Sequence, residues 1–241
     1  MSRTHSRIGR RAPPSPIPRS ARRVLAELER WTEDLLPALR ERESPEAAAE
    51  ILDRARAELR GLAPRIQDPG WAAPHMRTFS VTGALYIAVY LALAPRGYAP
   101  PEAWAVCERA TRRHFARIPR AGISLAAAAF FSRPFQALSR ALSRRSQAAP
   151  LGGWVFRFVE GEPGAFAYGV DYTRCAIRDL AIGSGAADFA PYICLADIPG
   201  SEAMAWGLAR TETLAQGGQR CDFRFRRGAP TDVRVRLPMV K

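Results

Sequence analysis

Residues 152–172, GGWVFRFVEGEPGAFAYGVDY, decide the fold class of this chain. Trp154, Phe156 and Phe158 alternate with Val155, Arg157 and Val159, a period of two that belongs to a strand rather than a helix. Gly161-Glu162-Pro163-Gly164 is turn chemistry, and Phe166, Tyr168, Val170 and Tyr172 resume the alternation beyond it. The stretch predicts a β-hairpin. It also marks a boundary, because the apolar residues before it keep a helical period and those after it mix strands with short helices.

Working back from the hairpin, Ser124–Ser143 predicts a helix that Pro134 breaks or bends. Its Phe130, Phe131 and Phe135 are expected in a core or cavity wall, and Arg140, Arg144 and Arg145 on a solvated face. Glu102–Ile118 predicts a helix with Trp104, Cys107, Ala110 and Phe115 inward and Arg112, Arg113 and Arg117 outward. Cys107 is expected in the core and His114 in solvent; His75, in a proline-flanked loop, shows no partner. Val81–Ala94 (VTGALYIAVYLALA) is almost wholly apolar, yet before Pro95 it falls short of the roughly 20 residues of a membrane span. A buried central helix is expected there. Ser44-Pro45-Glu46 signals a helix start, with Ile51, Leu52, Ala55 and Leu59 as its buried face and Gly61 as its stop. From Ala21 to Arg40, Val24, Leu25, Leu28, Trp31, Leu35 and Leu39 recur at threes and fours, predicting a helix that Pro37 kinks or ends.

Working forward, Cys175–Ile182 reads as a short helix closed by Gly183-Ser184-Gly185, and Asp188–Asp197 as a second, broken at Pro199-Gly200. Leu208–Leu214 and Arg220–Arg227 read as two further strands joined through Gly217-Gly218. The expected fold is therefore α+β: a helical N-terminal half packed on a small four-stranded antiparallel sheet with two short helices. A single domain is expected over residues 24–241, helical over 24–150 and sheet-containing over 151–241, behind a disordered Arg/Pro-rich tail over 1–23.

Composition narrows the classes. Apolar content of 47% with 24% charged residues is ordinary globular usage over 241 residues. The net charge of +13 invites a nucleic-acid reading, but residues 1–24 hold seven arginines and no acid, leaving +6 for the rest. Lys241 is the only lysine, and the wealth of Arg, Ala, Pro and Gly fits a GC-rich bacterial coding bias better than a selected basic face. No nucleic-acid partner is expected. Met1–Ser20 lacks the apolar segment of a secretory signal, and Pro13, Pro14, Pro16 and Pro18 spoil an amphipathic transit helix. A cytoplasmic protein with reduced thiols and no membrane partner is expected; a homo-oligomer is left open.

The residues able to do chemistry gather late in the chain. Three of the four cysteines, Cys175, Cys194 and Cys221, follow the hairpin, each near a charge. On a helix Cys194 and Asp197 share a face. On a strand Cys221 lies with Phe223 and Phe225, while Asp222 lies opposite with Arg224 and Arg226. One register of the second hairpin puts Arg210 and Glu212 on the Cys221 face, the other Thr211 and Thr213, and both stay open. A thiol with its ordinary pKa near about 8.5 needs a cation or a helix amino terminus to become a nucleophile. Cys175 has both Arg174 and a helix start, and Cys221 has Arg210 across the hairpin. Asp197 suits general acid/base work and the fork of Arg210 suits a carboxylate. The blander readings are thiols as core filler, Gly217-Gly218 as a simple turn and Asp222 with Arg224 as a surface pair. A zinc site from the three cysteines and an acid would have spacings of 19 and 27, with no close Cys-x-x-Cys pair.

In order, these pieces are Cys175 opening a helix, Cys194 with Asp197, the Arg210-Thr211-Glu212-Thr213 strand and Gly217-Gly218-Gln219-Arg220-Cys221-Asp222-Phe223. Together they resemble the L-2-amino-thiazoline-4-carboxylic acid hydrolase family over roughly residues 171–227. The resemblance implies a hydrolase that opens a small cyclic amidine, as in converting the thiazoline to N-carbamoyl-L-cysteine. With it, Cys175, Cys194, Asp197 and Cys221 are the candidate catalytic residues. Arg210, Thr211, Thr213 and Asp222 are the candidate contacts to a small-molecule substrate, with no metal or other cofactor expected. The alternative is a non-catalytic small-molecule-binding or sensor domain with a cysteine-lined pocket.

Overall fold

A computed structural model describes residues 19–70 and 73–234, with side chains from residue 26 onward. The helical half follows its apolar spacing. Helix α1 (Arg19–Leu39) buries Leu28, Trp31, Leu35 and Leu39, and Pro37 falls in its last turn without ending it. It starts at Arg19, inside the segment 1–23 expected as a tail; residues 1–18 and the side chains of residues 19–25, Val24 and Leu25 among them, lie outside the described residues. Helix α2 (Pro45–Leu62) begins as expected, the Ser44 hydroxyl accepting from the Ala47 amide at 3.2 Å, but it runs through Gly61 into a short 3-10 turn.

Helix α3 (Pro74–Leu93) is longer than the apolar run that predicts it, because Pro74 sets its first turn. At this length it is apolar enough to cross a membrane, so the argument from a short span fails. It is instead surrounded by protein: Ala84 to Tyr90, Ala92 and Leu93 are all buried, as expected of a helix apolar on every side. Helix α4 (Pro100–Ala116) buries Trp104, Cys107 and Ala110. His114 is not simply solvated: its ring stacks on Trp31 at 4.5 Å, and Nδ1 lies 3.2 Å from the buried carboxylate of Asp34. His75 meets the rings of Phe79 and Phe135, and burial lowers its pKa. Helices α5 (Arg120–Phe130) and α6 (Arg133–Ala148) are separated where expected, Ser132 capping the Phe135 amide at 3.3 Å and Pro134 entering the next first turn.

The hairpin forms as strands β1 (Val155–Glu162) and β2 (Phe166–Arg174). After it come α7 (Ala176–Gly183), α8 (Ala190–Ile193), a 3-10 turn over 194–196 and α9 (Asp197–Met204). Pro199-Gly200 does not break this segment, because Pro199 sits in the first turn of α9 where its missing N–H is no loss. Strands β3 (Leu208–Arg210), β4 (Cys221–Phe225) and β5 (Asp232–Val233) complete a sheet of order β1-β2-β4-β3-β5. The α+β class holds with its helical N-terminal half, but the sheet is five-stranded and mixed rather than four-stranded and antiparallel, since β5 runs parallel to β3. Two residues are too few to show a period.

Two apolar cores result, one among α1–α4 and one between α6 and the sheet around Tyr168, Leu142 and Phe225. Ile177 of α7 packs against both. It can do so because Gly83 removes the side chain beneath it: a Cβ there would lie 2.7 Å from Ile177. This seats α7, and with it Cys175, directly on the central helix.

Candidate active site

Strand register brings the chemistry together. Tyr172 of β2 lies opposite Cys221 of β4, and the β3–β4 pairing sets Leu208 against Phe225 and Ala209 against Arg224. Arg210 therefore falls on the Cys221 face, its guanidinium 5.2 Å above the Phe223 ring. This is one of the two registers left open by the sequence, but only its first residue follows. The strand ends at Arg210, and Glu212 turns out to pair with Arg220 at 3.0 Å. Thr213 returns inward, fully buried, its hydroxyl donating to Gln216 Oε1 at 3.2 Å.

Each remaining member comes from a strand end or the start of a helix or turn. Cys175 caps α7, its Sγ accepting from the Arg178 amide at 3.5 Å. Arg174, expected to activate it, instead donates to Asp179 at 2.9 Å and serves the surface. Cys194 opens the 3-10 turn, and Asp197 opens α9 one turn later. Arg210 donates from Nη2 to the Cys194 carbonyl at 2.9 Å and from Nη1 to the Asp197 carboxylate. Arg210 is 1% exposed, and its buried Nε has no hydrogen-bond partner.

Asp197 keeps 36% of its side chain accessible although protein surrounds it closely enough for burial to raise its pKa against the opposing pull of Arg210. Cys194, Asp197 and Arg210 thus form one tight, partly accessible cluster where β3 meets α9. Cys175, Cys194 and Tyr172 are likewise only partly covered, while Cys221 is buried. Burial pushes each of the three thiols up to about 12. The Arg178 amide opposes this at Cys175, Arg210 at Cys194, and the Leu214 amide, 3.3 Å from Sγ, at Cys221. The three thiols lie close enough for the charge of one to raise its neighbours. Among the described residues no group of three or more His, Cys, Asp or Glu is arranged to hold a metal ion.

Thr211 and Asp222 are not brought into this cluster. Asp222 accepts from the Thr211 amide at 2.9 Å, the Glu212 amide at 2.7 Å and the Thr211 hydroxyl at 2.6 Å, and so locks the turn after β3 on the other face. Nor does Asp222 pair with Arg224. Arg224 donates at 2.7 Å to Asp171, which Arg157 also reaches at 2.9 Å. Tyr172 is the residue the sequence reading missed. The signal was present, since the alternation that predicts β2 places it on the face of this cluster, but only strand pairing sets it beside Cys221.

The sheet and the helix starts of this α+β fold thus converge on three thiols, a carboxylate and a buried guanidinium. The family model described as L-2-amino-thiazoline-4-carboxylic acid hydrolase matches residues 79–225, more than half of the chain. The chain belongs to this hydrolase family. The match reaches back from β4 into α3, well upstream of the cysteine-bearing segment, and contains every member of the cluster. No curated protein and no solved structure gives a significant match.

Proposed function

We propose that this protein hydrolyses a small cyclic amidine of the thiazoline type, with Cys194 as nucleophile and Asp197 as proton carrier. The observation that carries the reading is the meeting of Cys194, Asp197 and Arg210 in one hydrogen-bonded cluster whose thiol and carboxylate are partly accessible. The Arg210–Asp197 pair is neutral overall, and so is a substrate bearing an amidinium and a carboxylate. The substrate's cation faces Asp197 and its carboxylate faces the guanidinium of Arg210. Cys194 is favoured over the buried Cys221 because it is partly accessible, and over Cys175 because Arg210 bonds the Cys194 carbonyl and opposes the rise of its pKa.

The ring carbon between sulfur and two nitrogens is electrophilic when the amidine is protonated. Asp197 takes the Cys194 proton as the thiol adds to that carbon; the ring carbon–sulfur bond breaks, and the departing sulfur takes the proton from Asp197. Water then attacks the carbon bound to Cys194 and gives one proton to Asp197. The Cys194 sulfur leaves with that proton, and the second water proton goes to solvent as the urea carbonyl forms. One water is consumed and nothing is oxidised or reduced.

The high thiol pKa values favour a second reading, in which Asp197 activates water directly and the cysteines only line the site. Both readings are tested by following thiol release from L-2-amino-thiazoline-4-carboxylate and from a panel of cyclic amidines. Loss of turnover in both Cys194→Ser and Asp197→Asn supports the first reading, and full turnover in Cys194→Ser with loss in Asp197→Asn selects the second. Full turnover in both variants, or no ring opening by the parent protein on any of these compounds, overturns the proposal.

A further inference from the structure

The segment 119–150, PRAGISLAAAAFFSRPFQALSRALSRRSQAAP, carries five arginines and no aspartate or glutamate. It forms α5 and α6, and the two helices cover little of themselves. Helix α5 is apolar in composition, yet Ala127 is its only buried residue and Leu125 is 73% exposed. On α6, Leu138 is 40% exposed beside exposed Ala137, Ala141, Arg144 and Arg145. Of the five arginines, Arg140 is held by Glu160 at 2.7 Å. Arg120, Arg133, Arg144 and Arg145 are exposed and have no carboxylate partner among the described residues. Aliphatic residues left open to water and interleaved with unpaired cations form the pattern of a helix that lies in a membrane interface.

We propose that the outer surface of α5 and α6 docks on an anionic lipid bilayer, its arginines meeting the headgroups and Leu125 and Leu138 entering the acyl boundary. Charge complementarity selects this occupant. Residues 1–18 hold four arginines and no acid and so bring no charge complementary to this face, and a second copy would present the same positive surface. The aromatic residues that a nucleic acid would stack on are turned inward: Phe130 stacks on Trp206 at 4.5 Å, and Phe131 and Phe135 join the same ring cluster. This association departs from the expectation of no membrane partner; it rests on the surface of α5 and α6 and spans nothing.

The test is co-flotation of the full-length protein with vesicles of phosphatidylcholine alone and of phosphatidylcholine containing roughly one third phosphatidylglycerol. Binding to the anionic vesicles only, released by salt, is expected. Replacing two of the four arginines (Arg133→Ser with Arg144→Ser) should weaken partitioning roughly 25-fold, about fivefold for each charge. Leu125→Glu should weaken it as well, with the helical circular-dichroism signal and ring-opening activity unchanged in both variants. No binding to either vesicle overturns the proposal, and so does binding that both variants leave intact. Duplex DNA binding that the arginine variant weakens, with vesicle binding insensitive to Leu125→Glu, overturns it in favour of a nucleic-acid face. Ala128→Glu replaces Leu125→Glu if the latter does not fold.

Discussion

Arg210, at the end of β3, reaches both Asp197 at the start of α9 and the carbonyl of Cys194, so one buried side chain ties the sheet to the segment bearing two of the candidate catalytic groups. Removing buried Arg210 leaves the partly accessible Asp197 charge uncompensated, at a cost discounted for solvent screening to about 2 kcal/mol. Arg210→Ala is expected to lose about that much in urea unfolding and to abolish ring opening. Arg210→Lys keeps the charge but not the fork, and should restore stability more than activity. Wild-type turnover in Arg210→Ala would remove Arg210 from the site.

The pH profile reports on Asp197. Burial raises its pKa more than Arg210 lowers it, and the carboxylate is the form that accepts a proton. Activity is therefore present above the raised value and lost as pH falls through it, so the acid limb of kcat/KM should lie above the ordinary aspartate value of about 3.9. A limb at or below that value contradicts the assignment.

The thiols make a separate prediction. With Cys175, Cys194 and Cys221 raised to about 12, alkylation by iodoacetamide should keep accelerating past pH 10 rather than level off as ordinary thiols do above about 8.5. Mass spectrometry should find Cys175 and Cys194 labelled before the buried Cys107 and Cys221. Uniform labelling that saturates near pH 9 would mean the thiols are not held in this buried setting.

Asp171 is a structural charge on the opposite sheet face. Burial raises its pKa, but hydrogen bonds from Arg224 and Arg157 outweigh this and hold the carboxyl below its ordinary value. A group lowered in this way contributes stability above its unfolded pKa and loses it as pH falls through the folded value. Asp171→Asn should cost about 2 kcal/mol at neutral pH, discounted because Arg157 and Arg220 are largely exposed, and less in acid. Denaturant midpoints at neutral and acid pH check both.

Gly83→Ala tests the seat of α7. The new methyl would press on the branched stem of Ile177, which has no flexible end to swing aside. Overpacking of this kind costs about 1–3 kcal/mol and should shift Cys175, lowering turnover along with thermal stability.

Periodicity carried the elements far. The Trp154–Tyr172 alternation, the Ser44 cap and the Pro134 break were each legible because the signal is local. Gly61, Pro199 and Arg174 were misread for the opposite reason: a glycine can continue a helix, a proline is harmless in a first turn, and an arginine chooses among acids that sequence distance does not rank. His114 and Asp34 lie 80 residues apart and meet only because α1 packs on α4.

The sequence by itself determined the α+β class, the opposite facing of Cys221 and Asp222, and the shared turn of Cys194 and Asp197, because side-chain direction follows from backbone period. Only the tertiary structure decided that Arg210 faces Cys221 and that Tyr172 joins it. It also decided that Thr211 and Asp222 lock a turn outside the cluster, since register and strand ends depend on partners remote in the chain. It alone made the thiols hard to ionise, because burial is a property of the whole fold.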